Sequence, residues 1–191
     1  MYKHKNGITL KKVSLDNLER LLELKNESWF GTHSIAILNS TDQLKWFERI
    51  TADPKNLVMI AYDASNFAVG VYKASNIDYI NRRYDSAHDV FSLHRGKGLS
   101  KPVLEAGVDF GFEVLNMHRL DTEVLAGNIS IKAAKFVGFV EEGVKRKCIH
   151  KCNQYVDSTV MGLLREDWEA SDRVKAYGGV CNETYAPLLV K

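Results

Sequence analysis

Residues 94–102 read "HRGKGLSKP", and the reading of this stretch decides the fold. Gly96 and Gly98 stand among Arg95, Lys97 and Lys101, and an apolar helical pattern begins directly after them. On that helix Leu99, Val103, Gly107, Phe110 and Val114 form one stripe, with Lys101, Glu105, Asp109 and Glu113 opposite. Pro102 falls in the first turn, where its missing N–H is tolerated. Immediately before, "AHDVFSL" (87–93) reads as a strand. A strand feeding a glycine turn feeding a helix exposes unpaired backbone N–H groups at the positive end of the helix dipole, which favours an anion. Glycine lets the backbone approach a phosphate closely, and Arg95 and Lys97 add charge. The Walker A spacing is absent, and so is the third glycine of a dinucleotide fingerprint. These residues alone leave two readings, a phosphate cradle or a basic turn.

Working outward, "GITLKKV" (7–13) is a short first strand. Ser14 then caps a helix on which Leu15, Leu18, Leu22 and Leu24 are the apolar positions. Residues 27–40 are mixed and read as a loop or broken helix, and Thr41 opens a second helix with Leu44, Phe47 and Ile50 in register. "NLVMIAYD" (56–63) and "FAVGVYKA" (67–74) form a hairpin, and the polar stretch 75–85 reads as a connector. Beyond the glycine loop and its helix, to about Asn116, come a strand (118–126), a short helix (130–137) and a closing antiparallel pair. The order is β-α-α-β-β-β-α-β-α-β-β, a mixed α/β single sheet. The pattern weakens from about Glu169, leaving 169–191 as an extension of unknown order.

The chain of 191 residues, 45% apolar, suits one domain with an ordinary core. Its 26 basic and 24 acidic residues give a net charge of +2, which excludes a nucleic-acid-coating protein. No 18-residue apolar run predicts a membrane span, and "MYKHKNGITLKKV" lacks the apolar stretch of a signal peptide. Cys148, Cys152 and Cys181 are too few and too unevenly placed for a disulfide framework. The expected location is therefore a reducing cytoplasm. "CIHKC" (148–152) gathers three potential ligands on one strand, but zinc prefers pairs from separate elements, so no metal is expected.

"RGKGLS" resembles the [QR]-x-x-G-x-[GA] pattern by which the GNAT superfamily of N-acetyltransferases holds the pyrophosphate of acetyl-coenzyme A. Arg95 and Gly98 match, and Ser100 replaces the usual final glycine or alanine. Downstream, "LNMHRLDTEVLAGNISIKAAKFVGFVEEG" resembles the family's fifth strand, fourth helix and following turn, and "YVDSTVMGLLREDW" its last strand. The resemblance spans about residues 7–168. It implies a single GNAT-type domain (1–168) with a mostly antiparallel sheet of about six to seven strands, flanked by about four helices and splayed between its fourth and fifth strands. "HRLDTEVLAGN", "GFVEEGVKR" and "DSTVMGLLREDW" are similar to the branch holding ribosomal-protein alanine, polyamine and amino-sugar acetyltransferases. "LLELKNESW", "QLKWFERI" and "NIDYINRR" are similar to its amino-sugar enzymes.

The chemistry so implied is direct transfer of acetyl from acetyl-coenzyme A to an uncharged amine. Arg95, Gly96, Lys97, Gly98, Leu99 and Ser100 would cradle the pyrophosphate, and Phe91, Ser92 and Leu93 would offer the backbone N–H for the oxyanion. Asn128 would contact the pantetheine arm, with Ser130 at the family's small or hydroxyl position. Ala134 stands where the family places a tyrosine acid. For the base, His88, Asp89, His94 and Glu123 lie near the split, with Asp89 and Glu123 preferred. The acceptor is expected to meet Asn26, Trp29, Phe30 and Thr32 together with Tyr79, Arg82 and Arg83. Two arginines and aromatic rings suit a nucleotide-linked amino sugar. A protein N-terminal amine is the alternative acceptor, and the missing tyrosine leaves open a non-catalytic acetyl-coenzyme A sensor. A homodimer is allowed; no nucleic-acid or membrane partner is expected.

Overall fold

The computed structural model describes residues 1–33 and 39–176. The strands are β1 (Tyr2–Lys3), β2 (Thr9–Lys12), β3 (Leu57–Tyr62), β4 (Ala68–Asp78), β5 (Arg83–Val90), β6 (Arg119–Leu125), β7 (Val140–Lys151) and β8 (Gln154–Leu164). The helices are α1 (Leu18–Ser28), α2 (Ser40–Ala52), α3 (Ser100–Glu113), α4 (Ser130–Val137), α5 (Arg165–Ala170) and α6 (Asp172–Ala176). All strands join one sheet in the order β1-β2-β3-β4-β5-β6-β8-β7, antiparallel except for the β5–β6 pair. This is the expected α/β architecture with one strand more and, beyond the four helices expected, the short α5 and α6. The extra strand is β1, a two-residue piece at the edge.

The polar stretch 75–85 is not a connector. β4 runs to Asp78 and β5 starts at Arg83, because Ile77, Tyr84 and Ser86 alternate inward and supply the strand pattern. Of the extension after residue 168, α5 ends and α6 lies within the described residues; 177–191, with Cys181, lie outside them.

The sheet has two coated faces. Side chains of Tyr72, Tyr84, Leu120, Met161 and Leu163 pack with Val103, Val108 and Phe112 of α3. Val58, Ile60, Val71 and Phe91 pack with Leu21 and Leu24 of α1 and with Phe47 and Ile50 of α2. α3 presses onto β4 and β5 so closely that a Cβ on Gly107 would overlap the Tyr72 ring. The stripe of α3 opposite its apolar side is only partly solvated. Glu105 and Asp109 are buried, because both chain ends fold over them. Asp109 bonds His4 Nε2, Trp168 Nε1 and Arg173 Nη1, each at 2.8 Å, and Asn6 donates to Glu105 at 2.7 Å. α3 is thereby fixed along its length, and the loop that precedes it starts from a firm base. No helix among the described residues is long and apolar enough to cross a membrane.

Candidate active site

β5 and β6 share only three rungs, Arg83↔Arg119, Tyr84↔Leu120 and Asp85↔Asp121. Beyond them the strands part, and Ser86–Val90 and Thr122–Leu125 flank an opening. The Phe91 N–H donates to Val69 O at 3.0 Å across the β4 ladder. By the alternation of an antiparallel pair, His88 and Val90 therefore turn their backbone groups toward the opening. Of the three amides expected for the oxyanion, that of Phe91 is thus withdrawn, since it is committed to the ladder and its ring packs with Leu21 and Leu24 of α1. At Val90 the open edge is closed internally. Its N–H donates to Asp89 Oδ1 at 2.8 Å, its carbonyl accepts from Arg95 Nε at 3.2 Å, and Arg95 Nη2 lies 3.7 Å from Asp89. Ser92–His94 form a 3₁₀ turn leading into the glycine loop.

In that loop Gly96 and Gly98 adopt φ of 74° and 78°, and a Cβ on either would meet nothing within 4 Å. The loop is therefore an open, left-handed turn ahead of the α3 amides, a shape that an anion can enter. Ser100 Oγ lies 2.7 Å from His88 Nε2, pinning the start of α3 to β5. Burial pushes the His88 imidazole down to about 4, so at neutral pH it is uncharged. It faces α3, away from the side on which Asp89 and Glu123 project.

Odd-numbered residues of β5 and β6 project to the face covered by α1 and α2, which puts Asp89 and Glu123 on the two sides of the same opening. Glu123 pairs through Oε1 with Lys145, while Ser158 Oγ donates to its Oε2 at 3.5 Å. His33, after the 3₁₀ turn Trp29–Gly31, reaches across to Ser158 Oγ at 2.9 Å and to Glu123 Oε2 at 3.7 Å. Burial lowers the His33 pKa; Glu123 opposes this, and Lys151 and Lys145 reinforce it. A neutral imidazole, a carboxylate and a hydroxyl thus converge at the opening. The sequence reading passed over His33, although it lies beside Thr32 in the loop assigned to the acceptor.

That loop is tied down at two points. Asn128 Nδ2 donates to Gly31 O at 2.7 Å while its Oδ1 accepts the Ser130 N–H at 2.9 Å, bridging the loop to the start of α4. Lys151 Nζ donates to Trp29 O at 2.6 Å and lies over the Trp29 ring. Asn26 and Phe30 are exposed at the end of α1, and Thr32 Oγ1 bonds Trp29 O.

Tyr79, Arg82 and Arg83 do not join this group. They sit at the β4–β5 turn, about 23 Å down the strand from Val90 at about 3.3 Å per residue. Tyr79 there bonds Pro54 O, and Arg82 bonds Asn116 O and Oδ1. The expected clamp of two arginines on the acceptor is not formed. Ala134 is buried and offers no proton. Cys148 and Cys152 are exposed free thiols, and no cluster of three or more His, Cys, Asp or Glu among the described residues could hold a metal.

No family model matches the chain. Its sequence is 25% identical over 164 residues to an uncharacterised prophage-derived N-acetyltransferase of Bacillus subtilis, covering 85% of this chain and 93% of that one. It is 23% identical over 172 residues to an uncharacterised N-acetyltransferase, p20, of Bacillus licheniformis, covering 84% and 94%. The fold superposes on the spermidine N-acetyltransferase of Vibrio cholerae, solved with CoA and spermine, at a TM-score of 0.81 and 20% identity, covering 86% of this chain and 99% of that one. The parted strands, the glycine loop ahead of α3 and these end-to-end relatives agree: the chain has the GNAT fold and is an acyltransferase similar along most of its length to N-acetyltransferases.

Proposed function

We propose that the chain transfers the acetyl group of acetyl-coenzyme A to a primary amine of a small molecule. The observation that carries this reading is the parting of β5 and β6 after Asp85 and Asp121, with the glycine loop at one end and the Glu123–His33–Ser158 group on the acceptor face. The coenzyme fits the residues present: an open left-handed loop, the α3 amides, and Arg95 and Lys97 for its phosphates. When bound it supplies a thioester, whose C–S bond breaks as a C–N bond forms to the amine.

The chain's own residues do the rest. Arg95, Gly96, Lys97, Gly98 and Ser100 hold the pyrophosphate, and Arg95 leaves Val90 O to do so. The freed C=O of Val90 and the backbone groups of His88 orient the arm along the open edge, and the Val90 N–H, once it turns from Asp89 Oδ1, is the oxyanion donor. Glu123, aided by neutral His33, takes the proton that the incoming ammonium must lose. With Ala134 in place of a tyrosine, the thiolate leaves without a dedicated acid.

Among the relatives that match from end to end, one of Bacillus subtilis is named a "putative ribosomal N-acetyltransferase", the two described above carry no acceptor in their names, and the solved enzyme was crystallised with spermine. Nothing among them supports an amino sugar, and the displaced Arg82 and Arg83 remove the residues on which that expectation rested. The test is release of coenzyme A thiol against a panel of amines. Glu123→Gln is expected to lower kcat about 100-fold with the KM for acetyl-coenzyme A unchanged. An unchanged kcat would remove Glu123 from the chemistry.

A further inference from the structure

The acceptor face holds two lysines that make no hydrogen bond or ion pair among the described residues. Lys73, on β4, projects to the same face as Asp89, its diagonal neighbour across the ladder through Val71↔Asp89 and Lys73↔Ala87. Asp89 is already engaged by Arg95 and the Val90 N–H. Lys73 makes no hydrogen bond or ion pair among the described residues. Lys25, on α1, lies with its ammonium 5.2 Å from the Trp46 ring of α2 and likewise has no hydrogen-bonding or ionic partner among them. The two sit close enough to act on each other. Burial first, then the charges of Lys73 and Arg49, pushes Lys25 down to about 8, and burial lowers Lys73 with only Asp89 opposing.

A second observation is independent of charge. Gln43 is 1% exposed, and its Oε1 and Nε2 are both buried without a partner. It stands on α2 less than one turn before Trp46, the ring that Lys25 covers. Gln43 is buried and the two lysines are half-buried, and polar groups withdrawn from water are ordinarily matched, because leaving them unmatched costs stability. Here an ammonium from α1, one from β4 and an amide from α2 lack partners around the same helix–sheet seam. The missing partner is an acceptor of hydrogen bonds that carries negative charge.

Resting on the acetyltransferase reading, we infer that Lys25 and Lys73, helped by the Gln43 amide, form a subsite for an anionic oxygen group, so that the amine acceptor carries a carboxylate or a phosphate. Lys73 lies one strand in from the opening, which sets the anion roughly 5–10 Å from the reacting nitrogen. The face that receives the amine is thus built for a zwitterion rather than for a polycation.

Matched pairs of amines test this: cadaverine against lysine for the carboxylate, ethanolamine against phosphoethanolamine for the phosphate, with spermidine alongside. The anionic member of at least one pair is expected to have a kcat/KM at least tenfold higher, and the pair that shows it identifies the anion. Lys25→Met and Lys73→Met should each shrink that preference about tenfold through KM, leaving the KM of acetyl-coenzyme A untouched, and Lys73→Arg should keep it. Preference for spermidine or cadaverine, or a preference that survives the double Met variant, overturns the subsite. If no amine turns over, inorganic phosphate decides separately. A rise in melting temperature in the wild type that is lost in the double Met variant keeps the anion subsite and sinks the transferase reading. An equal rise in both proteins sinks the subsite.

Discussion

On the side of the sheet facing α3 and α4, buried polar groups find one another. Tyr72 OH lies 2.7 Å from Tyr84 OH and 2.9 Å from Ser86 Oγ, His88 meets Ser100, and Asp109 gathers His4, Trp168 and Arg173. Only Arg173 Nε and Nη2 are left over among the described residues on that side. On the side facing α1 and α2, Lys25, Lys73 and Gln43 are without partners. The first side carries the loop for a constant ligand and is finished before that ligand arrives. The second faces the variable one, and there Lys25, Lys73 and Gln43 stay unmatched beside the joined group of Glu123, His33 and Ser158. Preorganisation and incompleteness divide along the plane of the sheet.

That division can be broken most forcefully on the finished side. Gly107→Val puts branched carbon into the Tyr72 ring and should cost about 3 kcal/mol or more, read by urea unfolding. A loss under 1 kcal/mol would mean that this side is softer than described. Next comes the pH response of His88. Its folded pKa of about 4 lies below the ordinary 6.5, so its contribution is complete above pH 6.5 and is lost as pH falls from 6.5 toward 4. The wild type should lose roughly 2–3 kcal/mol more than His88→Gln over that window.

The unfinished side should answer with the opposite sign. Lys73→Met, which removes a half-buried cation without an ion pair, is expected to stabilise the unliganded protein by about 1 kcal/mol while weakening acceptor use. Destabilisation would show that Lys73 has a structural partner after all. The smallest effect is expected for Lys145→Gln. Its ammonium is exposed, and the pair with Glu123 should leave the melting temperature unchanged, altering only the acidic limb of the kcat profile.

The glycine loop and the order of elements were legible in the sequence because both are local: glycines at fixed spacing, and a period that switches between strand and helix. What was illegible depended on distant parts. Glu105 and Asp109 read only as part of the stripe opposite the apolar one, and the arrival of His4, Asn6 and Arg173 from distant parts of the chain buries them. His33 means nothing until Ser158, 125 positions later, lands beside it. The Phe91 amide was offered to the oxyanion although it belongs to the β4 ladder, because parity sends alternate N–H groups to opposite sides, a property of pairing rather than of residue type. Arg82 and Arg83 lie apart from the loop that carries Trp29 and Thr32 for a similar reason. The polar stretch around them is a hairpin end, so direction along the strand put them at the wrong end of β5.

The three rungs between β5 and β6 have a further consequence. The sheet is mechanically two half-sheets, β1–β5 and β6–β8, whose direct backbone stitching is confined to one end. A ligand arm lying in the opening acts as a splint between them. Amide hydrogen exchange at Ser86, His88, Val90 and Thr122–Leu125 should therefore slow on coenzyme binding, while the amides of β3 and β4 keep their rates. The substrate would then be, for as long as it stays, a strand of the protein.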